Sequence, residues 1–261
     1  MKNENNTLKI ALVQSSLHWE NPIANRAMFS NKIEQIEGAI DVIVLPEMFT
    51  TGFTMSPQNI ASEEGSLTLI WMKEIAARKN CAIVGSIVYN EKANYYNRLF
   101  FVKPDGETYT YDKRHTFTLA GEHKKYQSGK KRLVVAYKGF NFCPLICYDL
   151  RFPVWSRNTE NIDILLYSAN WPAPRINAWD ALLKARAIEN MVFCIGVNRI
   201  GEDNEGHIYP GHTSIYSPLG NELSFSKKEE ILIVEVTKNE IDLLRNKLSF
   251  LEDRDQFNLL D

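Results

Sequence analysis

The sequence predicts an α/β fold. Three observations carry that reading: short, wholly apolar runs suited to strands buried on both faces, amphipathic helical stretches between them, and turn residues or a sharp rise in polarity where each run ends. The first run, residues 8–14 (Leu-Lys-Ile-Ala-Leu-Val-Gln), reads as a buried strand. Asn21 as cap and Pro22 as first helical residue then open a helix whose apolar positions Ile23, Ala27, Ile33, Ile36 and Ile40 give one face to lay on a sheet. Residues 42–45 form a second, fully apolar strand, ended by Pro46. Strand, helix and strand this close together predict a parallel unit with a right-handed crossover.

The pattern then repeats. Residues 66–79 predict a helix and 81–89 a strand. Residues 98–102 and 107–111 flank Lys103-Pro104-Asp105-Gly106, a hairpin turn that delivers Lys113 to a long loop running to Gly129. A loop of this length without periodicity means function or disorder, and Phe117, Leu119 and Tyr126 argue against disorder. Strands are expected at 133–136 and 142–146, the second feeding Cys147, and at 162–168. Asn177 is expected to cap a helix reaching Met191, with Asp180 and Lys184 one turn apart for an ion pair. A strand at 192–198, a glycine-rich loop at 201–211 over the cleft edge, and a closing antiparallel set at 214–216, 223–225 and 231–236 complete the core. Residues 241–244 sit on a short helix, and the tail beyond Arg245 is docked or frayed. With no linker, repeat or low-complexity block, residues 1–261 read as one domain.

Composition narrows the function classes. The chain has 44% hydrophobic and 24% charged residues and a net charge of −2, ordinary for a globular protein. That charge offers no concentrated basic face for nucleic acid or an anionic membrane. The basic cluster Lys124, Lys125, Lys130, Lys131 and Arg132 reads as a solvated loop. A polar N-terminus and the lack of any long apolar run point to a cytoplasmic protein with reduced thiols. Of the four cysteines, Cys81 and Cys194 fit the core; Cys143 and Cys147 lack partners at zinc-site spacing, so no metal is expected.

Three positions invite a chemical reading, and each also has a plain one. Cys147 ends a strand, at the sheet edge where α/β proteins bind ligands, yet a core cysteine fits the segment too. Glu47 follows a strand and would ordinarily be solvated. Met48, Phe49, Phe53 and Met55 make its loop unusually apolar, however, which would raise its pKa toward that of a general base. Lys113 is a surface lysine at a hairpin end, or something more.

Glu47 after Ile-Val-Leu-Pro, Lys113 after Tyr-Asp, and Cys147 within Leu-Ile-Cys-Tyr-Asp-Leu-Arg-Phe-Pro together resemble the nitrilase superfamily of carbon–nitrogen hydrolases. The resemblance extends to Ala-Leu-Val-Gln at 11–14, Ser-Ala-Asn-Trp-Pro at 168–172, Ala-Arg-Ala-Ile-Glu-Asn at 185–190 and Gly-Val-Asn-Arg at 196–199. It implies a four-layer α-β-β-α sandwich of mixed sheets flanked by helices, a homodimer, a Glu47–Lys113–Cys147 triad, and a supporting glutamate at Glu122. The segment from Cys147 through Val-Trp-Ser-Arg-Asn is most similar to the omega-amidase branch, which hydrolyses 2-oxoglutaramate and related omega-monoamides without a cofactor.

On that resemblance Cys147 is the nucleophile, its pKa lowered by Lys113, and Glu47 the proton carrier. Lys113 and the backbone N–H of Tyr148 face the oxyanion. Arg175 is the expected ligand of a substrate carboxylate, with Trp171, Phe117 and Tyr148 as pocket walls. Arg151 is expected instead to pair with Asp149 or Glu189. The same triad would also serve a carbamoylase or a nitrile hydrolase, and an idle binding protein could share the scaffold. A papain-like pair with one of the histidines lacks the sequence context around Cys147.

Overall fold

The computed structural model describes residues 7–259. Fourteen strands are present among them: β1 (Thr7–Gln14), β2 (Val42–Val44), β3 (Ala82–Glu91), β4 (Asn94–Val102), β5 (Thr108–Asp112), β6 (Val135–Tyr137), β7 (Phe140–Ile146), β8 (Ile164–Ala169), β9 (Phe193–Asn198), β10 (Ile200–Glu202), β11 (Ile208–Pro210), β12 (Thr213–Tyr216), β13 (Glu222–Ser226) and β14 (Glu230–Thr237). Four α-helices accompany them: α1 (Pro22–Glu34), α2 (Glu64–Lys79), α3 (Ile176–Asn190) and α4 (Lys238–Leu248). One six-stranded sheet runs β14-β1-β2-β3-β4-β5 and another β13-β12-β9-β8-β7-β6, while β10 and β11 pair on their own. Starting from β14 in one and β6 in the other, the strand pairs follow the same series: antiparallel, two parallel, two antiparallel.

Strand alternation divides the core. Leu8, Ile10 and Leu12 of β1 point inward and share an apolar cluster with Phe142 and Leu145 of the second sheet. The intervening Ala11 and Val13 point outward against Phe29 and Ile33 of α1 and Met72 and Ile75 of α2. On the far side Trp179, Leu183 and Ala187 of α3 cover the second sheet. This is the expected four-layer α-β-β-α sandwich. Gly196 permits the close approach of α3 to β9, because a Cβ there would sit 2.4 Å from Leu183 and 2.5 Å from Trp179.

The structure corrects several local expectations. Strand β14 does not close the antiparallel set with β12 and β13. It crosses to the first sheet and pairs along all of β1, from Thr7 opposite Thr237 to Gln14 opposite Glu230. Asn177 lies inside α3, whose cap position is Arg175 and which has no side-chain cap. Asp180 is bonded to His212 Nδ1 at 2.9 Å rather than to Lys184. The 201–211 segment is a hairpin, β10–β11, not a plain loop. Within 113–129 two short 3₁₀ turns form, Thr118–Ala120 and Glu122–Lys124. Lys124, Lys125, Lys130 and Lys131 are exposed as expected, but Arg132 is anchored on the backbone oxygens of Trp155 and Arg157.

Helix α4 is longer than the four residues expected, and a buried charge fixes it. Asp163, fully buried at the start of the β8 segment, receives Lys238 Nζ at 2.5 Å, Arg245 Nη1 at 3.1 Å and the Asn141 N–H at 2.9 Å. Two cations from one helix therefore depend on one carboxylate. Replacing it leaves Arg245 without a carboxylate and Lys238 with only the more distant Asp242, at 4.0 Å, so Asp163→Ala is expected to cost about 3 kcal/mol of unfolding free energy in a urea titration. An unchanged midpoint would refute the assignment.

Candidate active site

Glu47 and Cys147 both sit just past the ends of central strands, at turns with left-handed backbone. Met48, directly after Glu47, has φ +43°, and its N–H donates to Ser86 Oγ at 2.9 Å. Cys147 itself has φ +43°, a conformation that costs a non-glycine residue energy and is retained where surroundings enforce it. The enforcing group is Asp149. Its fully buried carboxylate accepts the Ile146 N–H (3.0 Å), the Tyr111 hydroxyl (2.7 Å), the His115 N–H (3.0 Å) and His115 Nδ1 (2.8 Å). The His115 ring stacks on Phe152 at 3.7 Å, and Tyr111 also accepts from Trp155 Nε1 at 3.0 Å. The turn bearing the sulfur is thus pinned on both sides.

Lys113 follows β5, and its backbone is clamped. Its N–H donates to Asn97 O at 3.0 Å, and its carbonyl accepts from Gly129 N–H at 2.9 Å. Only glycine fits at 129, since a Cβ would lie 2.0 Å from Asp112 O. The ammonium reaches Glu47 Oε1 at 2.8 Å and both Glu122 oxygens at 3.1 and 2.9 Å. Glu47 and Glu122 are fully buried and Lys113 is 1% exposed. Burial works against the Lys113 charge, yet Glu122 and Glu47 outweigh it and hold the amine protonated well above the ordinary range. Burial raises the Glu122 carboxyl despite Lys113 beside it.

Asn170, at the end of β8, ties Glu47 to Cys147. Its backbone N–H donates to Glu47 Oε2 at 2.8 Å, its side-chain amide to Glu47 O at 2.6 Å, and its carbonyl oxygen lies 3.9 Å from Cys147 Sγ. Glu47 and Lys113 are both close enough for their charges to act on the Cys147 thiol. The structure therefore brings Glu47, Lys113, Glu122 and Cys147 together. The direction expected for the thiol is corrected, however. Burial, reinforced by the Glu47 charge, pushes Cys147 well above the usual thiol range, and the opposing pull of Lys113 is the weaker effect. The reason is desolvation: a thiolate here loses more hydration than one ammonium, already shared by two carboxylates, returns.

A cavity of about 210 Å³ opens onto Cys147 and Lys113. Phe53, Phe117, Tyr148 and Trp171 line it, so all three aromatic residues expected as walls are present. So are Arg175, whose guanidinium lies over Phe117 (5.1 Å), and Arg151, over Trp171 (5.0 Å). Arg151 does not pair with Asp149, which is fully engaged, or with Glu189, which binds Arg186 at 2.8 Å. Among the described residues neither guanidinium has a carboxylate partner. Asp203, Glu205, His207 and Tyr209 of the β10–β11 hairpin also line the cavity. The hairpin is held by Arg199 beneath Tyr209 (4.5 Å) and by the Tyr209 hydroxyl donating to Asp203 (2.8 Å). His115 and His212 are committed to Asp149 and Asp180.

Sequence reasoning missed Asn97, the Asp149 network and the hairpin's inner face. An asparagine directly after two tyrosines and just before the apolar run 99–102, a residue type depleted in strands, was the available signal for Asn97.

A carbon-nitrogen hydrolase family model matches residues 9–246. The chain belongs to the carbon-nitrogen hydrolase family. Among curated members of that family, the omega-amidase YafV of Yersinia enterocolitica is 42% identical over 97% of this chain and 99% of its own. The 2-oxoglutaramate amidase of Bacillus subtilis (strain 168) is 33% identical over 94% and 96%. A crystal structure of a CN-hydrolase superfamily protein from Xanthomonas campestris, with an arsenic adduct in its active site, superposes with a TM-score of 0.94 at 36% identity, covering 97% of this chain and 99% of that one.

Within this carbon-nitrogen hydrolase the buried thiol predicts its own titration. The ultraviolet difference between the parent protein and Cys147→Ala is expected to show no thiolate at about pH 8.5, where a free cysteine is half ionised. A thiolate signal at neutral pH would overturn the direction given above.

Proposed function

We propose that this protein is an omega-amidase that hydrolyses the terminal amide of small 2-oxo dicarboxylic monoamides such as 2-oxoglutaramate, releasing ammonia. The observation that carries the reading is one cavity lined by the Cys147 thiol, by Lys113 of a buried Glu–Lys–Glu cluster, and by two guanidinium groups without a carboxylate partner among the described residues. Relatives named omega-amidase and 2-oxoglutaramate amidase along nearly the whole chain support it.

In this mechanism Glu47 takes the Cys147 proton as the sulfur attacks the amide carbon, so the nucleophile is made at the moment of use. Lys113 and the Tyr148 backbone N–H stabilise the oxyanion; one such donor contributes roughly 2.7–4 kcal/mol. Glu47 then protonates the departing nitrogen. The C–N bond breaks, ammonia leaves, and an acyl thioester remains. Water, losing a proton to Glu47, attacks the thioester, and the thiolate leaves with that proton returned to it. Glu122 holds Lys113 in place throughout. Arg175 and Arg151 bind the far carboxylate, for which guanidinium is suited by its paired donors.

We propose further that residues 1–261 act as a single functional unit and that two copies pair as a homodimer. Exposed Ile188 on α3, and Leu219 in the turn next to it, favour a covered face there. Among the described residues no helix is long and apolar enough to cross a membrane.

Steady-state ammonia release on a panel of omega-amides tests the assignment. Cys147→Ala is expected to keep the fold and abolish turnover of 2-oxoglutaramate; turnover at the parent rate refutes the mechanism. Arg175→Met and Arg151→Met are expected to raise KM for that substrate by about 10- to 100-fold, the loss of one charged hydrogen bond, with little effect on a neutral amide of equal length. Release of carbon dioxide alongside ammonia from a carbamoyl substrate would favour a carbamoylase instead.

A further inference from the structure

The buried charges are joined by a residue outside the triad and its supporting glutamate. Asn97 is 1% exposed and lies on β4 opposite Val88. Its Nδ2 donates to Glu47 Oε1 at 2.8 Å and to Glu122 Oε1 at 3.2 Å. Lys113 Nζ donates to those same two oxygens, at 2.8 and 3.1 Å. The four atoms close a ring in which two donors alternate with two carboxylate oxygens. The amide orientation follows from this geometry: reversed, Oδ1 would face two anionic oxygens with no proton to offer. No described protein group donates to Oδ1 in the observed orientation, so the amide's protein contacts here are made through its donor end. Asn97 O meanwhile accepts the Lys113 backbone N–H at 3.0 Å. A single residue therefore places the ammonium and bridges both carboxylates.

We propose that Asn97 is a positioning residue that holds Glu47 aimed at Cys147, by supplying a neutral bridge between the Glu47 and Glu122 carboxyl groups. Resting on the amidase reading, this inference names what sets the working state of its base. Besides Lys113, one backbone N–H holds each carboxylate, Asn170 on Glu47 Oε2 and Phe117 on Glu122 Oε2, but neither of these links the two acids. The amide adds a further fixed contact to the Oε1 of each and joins them without adding charge, and a donor to a carboxylate favours its ionised form. Removing the amide takes a donor from both carboxyl groups of the cluster, and the acid-side loss of activity would move upward. Substituting a carboxylate for the amide would move it further the same way, through repulsion.

The experiment compares Asn97→Leu, which keeps the volume, Asn97→Ala, and Asn97→Asp. Rates are taken per Cys147 that iodoacetamide can alkylate, so misfolded protein does not count. Two pH profiles are recorded: kcat for 2-oxoglutaramate, and the alkylation rate of Cys147, which needs no substrate. The other three thiols are buried away from the cavity, with Cys81 pushed up to about 11 and Cys143 to about 12 by burial. Asn97→Leu and Asn97→Ala are expected to lower kcat about 10- to 100-fold with KM within about threefold. The acid limb of both profiles should move to higher pH, and furthest in Asn97→Asp. A fall in kcat with unmoved limbs would reduce Asn97 to a structural part and overturn the proposal, as would parent-like kcat or a change confined to KM. If the parent fails to hydrolyse 2-oxoglutaramate, the substrate reading falls, and the alkylation profile alone decides the role of Asn97.

Discussion

One ammonium, buried between two carboxylates, is the constraint on which the rest of this molecule turns. Taking an ion out of water costs several kcal/mol even after relaxation, and here three ionisable groups are buried within hydrogen-bond reach of one another. The arrangement persists because no charge is left with a single partner. Lys113 binds three carboxylate oxygens. Glu47 also accepts the Asn170 N–H and the Asn97 amide, and Glu122 accepts the Phe117 N–H at 2.5 Å. These contacts come from five separate stretches of chain. Any segment that shifts exposes a buried charge, and this couples the geometry of the site to the integrity of the sandwich.

The fold supplies those stretches by repeating one strand-pairing scheme in two sheets packed face to face. Glu47 follows the second strand of the first sheet's parallel trio, and Cys147 and Asn170 follow the first two of the other. Strand ends from opposing sheets thereby meet at one edge of the sandwich. Ser168 Oγ donates to Leu45 O at 2.9 Å across the two sheets, just behind the site. Left-handed turns at Met48 and Cys147 then direct base and sulfur toward one another instead of outward.

How much of this was legible in the sequence depends on how local its cause is. The alternation of apolar strands and amphipathic helices gave the α/β class, because burial on two faces imposes a pattern within a few residues. Glu47, Lys113 and Cys147 stood out through their surrounding motifs, whereas each alone had an ordinary reading. The partner sheet of β14 could not be read, since its apolar run Ile231 to Val234 would suit either sheet edge. Asn177 looked like a cap by residue type, but the preceding 3₁₀ turn Ala173–Arg175 starts the helix earlier. Arg151 was expected to pair with Asp149 or Glu189; in space Asp149 is filled by Tyr111 and His115, residues 38 and 34 positions away, and Glu189 binds Arg186. Long-range satisfaction of polar groups was the part that sequence could not show.

The acidity of Cys147 illustrates the same point and bears on mechanism. A lysine near a cysteine suggests a resting thiolate, and that inference holds when the cation is uncommitted. Here two carboxylates already share the cation, and one of them also acts directly on the sulfur. With the ammonium shared by the acids, burial keeps the Cys147 thiol well above the usual thiol range, and the proposed mechanism has its proton removed only as the sulfur attacks. In the proposed mechanism the same carboxyl that accepts the proton from sulfur is then poised to give it to nitrogen. The buried cluster is therefore better understood as fixing where the proton moves than as making the sulfur acidic.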